Sequence, residues 1–450
     1  MAAVHILSLA LMLVLVSPVA ARIHLATSKN AATQSNLPGT LNQNQKQNSI
    51  RRGLAVDSTD GAADAIDESS GDTLESTLLD DAAVSGFSII AVGSYGGIDQ
   101  SFVTSFLLQV VSGDNTKKTK TLQRSKFVSL DGGTTVSGIQ AAVHAGSFQD
   151  IFEQDLDYTT TYSQNLTETG YIFLHGVQAY LLSHPHQDHN VGLTIAATDD
   201  LAGGLKPVFG TEFTTSTIQT DMWNWKVWPN FGASGVSPLN TYNVTTVQAD
   251  GRSVYDCPPD THMSFRAFPL SHGSYPSAET ADDGTTSVNW QPYPSTAYLM
   301  EYHTSGLQPK VLFFGDTGAD SISGTTYVRD IWETVAPYVA DGSLHAILFE
   351  CSYLDSQPDN LLFGHLKPKL FVQELVVLRD LVALPTTEAA NEALSRVQII
   401  VEHIKPSSSL FQSKETTGDL VMQELQHWAD VEGLSLNLIQ PMPGHRYDTF

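Results

Sequence analysis

The chain has 450 residues, 41 % hydrophobic and 16 % charged, enough for one large domain or two to three small ones with a sizeable core. Lys and Arg number 23 against 48 Asp and Glu, a formal charge of −25. That balance argues against a nucleic-acid partner and against a basic membrane-surface helix. Two cysteines exclude a disulfide scaffold and a thiolate zinc site.

The apolar run Ile6 to Val16 has the length of a signal-peptide core, and Val19-Ala20-Ala21 fits small-x-small cleavage before Arg22. The run is too short to span a bilayer as a helix, so secretion or residence in a secretory lumen is expected. Residues 22–85 are rich in Ser, Thr, Asn, Gln, Asp and Ala and lack aromatics, which predicts a disordered leader or propeptide. Within it, Arg51-Arg52 is either a processing site or a chance pair. Asn165-Leu166-Thr167 and Asn243-Val244-Thr245 are glycosylation sequons compatible with that route. Cys257 and Cys351 either form one disulfide there or remain two buried thiols. The polar C-terminus carries no lipid-anchor signal, and no other run is long and apolar enough to span a membrane.

From residue 86 to 450 the texture is that of one α/β domain. Phe87 to Val92 reads as a buried strand ended by Gly93-Ser94-Tyr95-Gly96-Gly97. Phe102 to Val111 and Lys126 to Leu130 follow, the latter running into Asp131-Gly132-Gly133-Thr134, and Val136 to Ala145 is helical in pattern. Further strands are expected at Gly176–Leu182, Phe265–Leu270, Ala297–Tyr302, Val311–Phe314, His345–Phe349 and Val397–Val401. Helices are expected at 327–340, 370–384 and 419–432, with Pro368 suited to a first turn and Gly433 to a stop.

The segment Ser183-His184-Pro185-His186-Gln187-Asp188-His189-Asn190 carries the chemistry. It offers four potential ligands in the order His-x-His-x-Asp-His, directly after a strand. In extended backbone His184 and His186 point the same way, and Asp188 and His189 continue round the turn, so one loop can serve two metals. Three later candidates also follow apolar strands: His272, Asp316 in Gly315-Asp316-Thr317-Gly318, and His403. His262 competes with His272 but precedes its strand. His303 and His345 are expected to be structural.

These features resemble the metallo-β-lactamase superfamily and, within it, the class II cyclic-nucleotide phosphodiesterases. The likeness rests on the histidine loop, Asp131-Gly132-Gly133-Thr134, Trp228-Pro229-Asn230-Phe231, Gly315-Asp316-Thr317, Glu350-Cys351-Ser352-Tyr353, Gly364-His365-Leu366 and His403-Ile404-Lys405-Pro406. It spans about residues 86 to 405. Gln187, Asn190 and Ala197-Thr198 depart from the family pattern without removing a ligand.

The resemblance implies a metallo-β-lactamase αββα sandwich holding two divalent ions, with zinc expected. His184, His186 and His272 would hold one ion, Asp188, His189 and His403 the other, and Asp316 would bridge. Asp188 and Asp316 would thereby join the catalytic centre, where hydroxide between the metals attacks phosphorus. His365 is the candidate proton donor to the leaving oxygen, or else a supporting histidine. Asp131 is expected either to orient a metal-bound histidine or to cap its own turn. Asn230 is a candidate substrate contact. The expected substrate is a cyclic nucleotide, and relatives imply a homodimer. A tRNA-processing endonuclease of the superfamily, a secreted lactonase or esterase, and a non-catalytic binding protein are the rivals. The charge and the absence of a serine nucleophile elbow count against a nucleic-acid substrate and against a serine hydrolase respectively.

Overall fold

Strands that read as unbroken apolar runs need cover on both faces, and here that demand sets the layering. The computed structural model describes residues 85–112, 126–149, 151, 166–200, 205–280, 284–303, 306–410 and 415–450. The signal-like run, the leader with Arg51-Arg52, and Asn165 lie outside the described residues.

One seven-stranded sheet runs β14-β1-β2-β3-β4-β5-β6. Its strands are β1 (Ser85–Gly93), β2 (Ser105–Ser112), β3 (Phe127–Leu130), β4 (Val177–Leu181), β5 (Lys206–Gly210), β6 (Tyr242–Thr246) and β14 (Arg446–Thr449). The second runs β13-β12-β11-β10-β9-β8-β7. It comprises β7 (Val254–Asp256), β8 (Met263–Thr280), β9 (Thr286–Tyr302), β10 (Lys310–Phe314), β11 (Leu344–Glu350), β12 (Gln398–Glu402) and β13 (Asn437–Ile439). Each sheet joins an antiparallel half to a parallel half, β3 to β6 in the first and β10 to β13 in the second.

The inner faces share one core, in which Phe87, Phe106 and Leu181 of the first sheet meet Phe265, Tyr298 and Phe313 of the second. Helices cover the outer faces. Helices α1 (Val136–His144) and α2 (Gln187–Ala196) bury Ile139 and Leu193 on the first sheet. Helices α3 (Tyr327–Ala340), α4 (Pro368–Leu381), α5 (Thr387–Ser395) and α6 (Thr417–Glu432) cover the second. There Trp332 packs between Phe314 and Phe349, with ring centroids 5.2 and 5.7 Å away. This is the αββα layering that the resemblance implied. No helix among the described residues is long and apolar enough to cross a membrane.

Helix α3 has the bounds read from the sequence. Helix α4 starts at Pro368, whose missing N–H costs nothing at a first helical position, and ends at Leu381, short of residue 384. A capping box between Thr416 and Asp419 starts α6, and Gly433 at φ 64° stops it.

Three differences from expectation have physical causes. Strand β2 begins at Ser105, because Val103 is taken by a bridge to Tyr95. Helix α2 was not expected, since Gly192 and Thr194 dilute its apolar face. Strands β8 and β9 are far longer than the apolar runs 265–270 and 297–302, because they extend past β10 as a two-stranded ribbon whose prolines and polar residues hide the alternation. Cys257 lies in the inner core and Cys351 in the helix-covered layer, both as free thiols. Burial pushes each thiol pKa up.

Candidate metal centre

Parallel strands β3, β4, β10, β11 and β12 all end at one edge of the two sheets, where open α/β sheets present their ligand sites. Asp131 follows β3, His184 follows β4, Asp316 follows β10, Glu350 ends β11 and His403 follows β12. His272 comes from a bulge inside β8.

His186, in extended backbone, stands just before α2. Asp188 and His189 therefore sit in the first helical turn. Asn190, one of the departures from the family pattern, gives its amide to the carbonyls of Pro185 and His186 at 2.9 and 2.7 Å and closes the loop after β4. Helix α2 approaches the β3 loop so closely that a Cβ on Gly133 would lie 2.0 Å from the Asp188 carbonyl. Glycine is required there by space, not by turn geometry.

The side chains form three groups, each with ligand atoms within 4.8 Å of one another: His184, His186, His272 and Asp316; Asp188, His189 and His403; and Asp316, His365 and His403. Asp316 Oδ2 joins them, lying 3.6 Å from Nε2 of His184 and of His272, 3.3 Å from that of His189 and 3.2 Å from that of His403. His403 Nε2 lies 3.8 Å from Asp188 Oδ2. His184, His189 and His403 are wholly inaccessible to solvent.

The other ring nitrogens are fixed from behind. His189 Nδ1 donates to Asp131 Oδ2 at 2.7 Å. Ser183 donates to the same carboxylate, through N at 2.7 Å and through Oγ at 2.8 Å. Its Oγ is thus left to accept from His184 Nδ1 at 3.0 Å. His403 Nδ1 meets Thr104 Oγ1 at 2.7 Å, and His272 Nδ1 meets the Gly364 carbonyl at 3.0 Å. With the proton held on Nδ1, each of these four rings turns a lone pair on Nε2 inward. His186 instead presents Nδ1, 3.2 Å from His272 Nε2.

Nε2 of His184, His189 and His403 and Oδ1 of Asp316 are buried without a hydrogen-bond partner. Buried polar atoms are otherwise nearly always satisfied, so this convergence is the arrangement of a cation site. Burial holds the His184 and His403 imidazoles well below their ordinary pKa, leaving Nε2 of each free of a proton for a cation. Burial opposes charge on His189 too, but Asp316 and Asp131 outweigh it and raise that ring. The field that favours a proton on His189 favours a divalent ion equally. Nitrogen and oxygen donors without thiolate suit Zn²⁺.

His365 stands beside this group, its Nδ1 3.8 Å from Asp316 Oδ2. That nitrogen is taken by Glu350 Oε1 at 2.9 Å and is 3.1 Å from Ser352 Oγ. Glu350 is fully buried and also accepts from Thr317 N and Ser352 Oγ. In the sequence Glu350 stands out only as part of the family-like Glu350-Cys351-Ser352-Tyr353 stretch. The available signal was a carboxylate ending an otherwise apolar strand, which must find partners.

Asp131 sits in left-handed backbone at φ 58° and contacts both Ser183 and His189. Asn230 bonds within its own turn, to Ser234 Oγ and Gly232 N, and Phe231 is buried in the outer core. His262 is exposed in the turn before β8, and His303 and His345 bond Ser264 and Thr449.

The profile of the family described as cAMP phosphodiesterases class-II matches residues 98–444. A 3′,5′-cyclic-nucleotide phosphodiesterase of Aliivibrio fischeri is 31 % identical over 359 residues, 80 % of this chain and 91 % of that protein. A probable 3′,5′-cyclic-nucleotide phosphodiesterase of Yersinia pestis is 28 % identical, over 80 % of this chain and 89 % of its own. The crystal structure of unliganded yeast PDE1 superposes with a TM-score of 0.64 at 20 % identity, covering 82 % of this chain and all of that one.

Proposed function

Because the chain belongs to the class II cAMP phosphodiesterase family, we propose that it hydrolyses 3′,5′-cyclic nucleotides (cAMP, cGMP or both) to 5′-monophosphates with two divalent ions, most simply Zn²⁺. The observation that carries the metal assignment is the convergence of unpartnered, buried Nε2 and Oδ atoms on one point. In this reading His184, His186 and His272 would hold one ion and Asp188, His189 and His403 the other, with Asp316 available to both. When bound, such a pair supplies Lewis acidity and lowers the pKa of water from 15.7 toward ~7.

The protein's own groups do the rest. Asp131, Ser183, Thr104 and the Gly364 carbonyl hold the ligand rings in one tautomer, so the site needs little reorganisation when it is loaded. Glu350 holds the proton of His365 on Nδ1 and directs Nε2 toward substrate. As the imidazolium, with a second proton on Nε2, His365 donates that proton to the 3′ oxygen as its bond to phosphorus breaks and is left neutral with Nδ1–H, which removes the cost of expelling an alkoxide. Asp316 stays ionised, because the histidines around it outweigh the burial that would protonate it.

We propose further that the protein follows the secretory route; the N-terminal apolar run supports this, and Asn243 of the second sequon is exposed on β6.

The test is cAMP and cGMP turnover by the purified full chain, with metal content measured on the same sample. About two ions per chain, 5′-monophosphate product and loss with chelator are expected. Two ions with no turnover of either nucleotide would sink the substrate assignment.

A further inference from the structure

The bulge that aims His272 at the metal centre also aims an aromatic ring. Ser271 pairs with Pro294 and Ser274 with Pro292, so His272 and Gly273 together face the single residue Tyr293. Gly273 takes φ +71°, the left-handed conformation that such a bulge requires. The Tyr293 ring stacks on His186, with centroids 4.6 Å apart at 29°. Two more rings meet its edge, Tyr275 of β8 at 5.7 Å and Phe213 at 5.2 Å. Phe213 and Tyr275 touch each other at 5.9 Å. Phe213 comes from the short helix after β5, so the cluster joins the two sheets at the mouth of the site.

These three rings belong to none of the three hydrophobic cores, and each is only half-buried. Pro276, Pro292 and Pro294 stiffen the ribbon that carries two of them. An aromatic cluster outside the cores, two of its rings on a proline-stiffened ribbon and one of them stacked on His186, has the form of a stacking platform.

The geometry points to Phe213, Tyr275 and Tyr293 as the subsite for the nucleobase of the substrate, a ribose away from the phosphate at the metals. This rests on the nucleotide reading above and goes beyond it by naming the base contact. Every purine has a π-face, so the platform accepts adenine and guanine alike.

The test uses Phe213→Ala and Tyr275→Ala in the full chain, because neither ring touches a ligand ring. Substrates are cAMP, cGMP and base-free ribose 3′,5′-cyclic phosphate. The expected result is a KM about tenfold higher for both nucleotides. The preference for cAMP over the base-free substrate, in kcat/KM, falls by the same factor, and Phe213→Tyr restores it. Equal losses on the base-free substrate, or an unchanged KM, would overturn the inference. Calorimetric binding of 5′-AMP against ribose 5-phosphate reads the same contact without turnover. If the wild type hydrolyses neither nucleotide, the proposed function fails. The base subsite then stands if 5′-AMP binds tighter and Phe213→Ala erases the margin, and falls if there is no margin.

Discussion

Two buried polar clusters in this protein answer the same physical problem in opposite ways. On the outer side of the first sheet, Lys206 Nζ meets Asp200 Oδ1 at 2.5 Å and the Phe173 carbonyl at 2.8 Å, while the Tyr242 hydroxyl donates to Asp200 Oδ2 at 3.1 Å. Each of the two charges there has an opposite partner from the chain itself. At the strand ends, Asp316 is surrounded by imidazoles whose inward nitrogens have no donor to accept from. The first cluster pairs its two charges within the chain, although burial still raises Asp200 and lowers Lys206 from their ordinary pKa values; the second gathers buried lone pairs that no donor of the chain meets. Burial alone therefore does not mark a site. Convergent, unsatisfied lone pairs do.

The comparison makes opposite predictions for activity and stability. The largest effect belongs to Asp316→Ala. Cyclic-nucleotide hydrolysis should fall at least about 10³-fold, with loss of bound metal, because one carboxylate is available to both proposed ions. The chelated protein should lose less stability than Lys206→Met does. A variant that kept its metal and its rate would break the contrast.

Next come His365→Ala and Glu350→Gln, each expected to lower kcat about 10²- to 10³-fold. Metal content, read by mass spectrometry, should remain as in the wild type. A fall in metal content would move His365 into the ligand set beside Asp316 and His403.

Lys206→Met should do the reverse. It strands Asp200 in the interior and should cost about 3 kcal/mol in chemical denaturation, with kcat of the folded enzyme within about twofold of wild type. A large change in kcat would show that the Lys206 cluster also serves the site.

The smallest effect is set by pH. Burial, aided by Asp320, raises the Glu374 carboxyl to about 7. A folded-state pKa above the unfolded one means that the native state holds the proton more tightly. Stability from this group is therefore present below about pH 4.5 and is lost as pH rises through about 7. Glu374→Gln keeps an acceptor for Asp320 N, the wild-type contact at 3.0 Å. It should raise Tm by a few degrees at about pH 8, and hardly at about pH 5. An equal shift at both would assign the effect to packing.

Much of this was legible in the chain. Apolar runs ending in His184, Asp316 and His403 announced strands that deliver ligands to one edge, because parallel strands place their C-terminal ends together. The α3 and α6 helices were readable from periodicity and from Gly433. Glu350, Thr104 and Ser183 were not, because a residue that orients another by a single hydrogen bond leaves no period or spacing. The β8–β9 ribbon was hidden for a related reason. With no core behind it, its residues escape the alternation that burial imposes.

The sequence by itself determined the order of the elements, the residue types able to hold a metal and the family resemblance, since each is written in local pattern. Only the tertiary structure decided which nitrogen of each histidine faces inward, that Cys257 and Cys351 lie in separate layers as free thiols, and that Asn230 bonds to its own turn. Those depend on which side chains meet across hundreds of residues. Thr104 and His403, 299 positions apart, touch only once both sheets are in place.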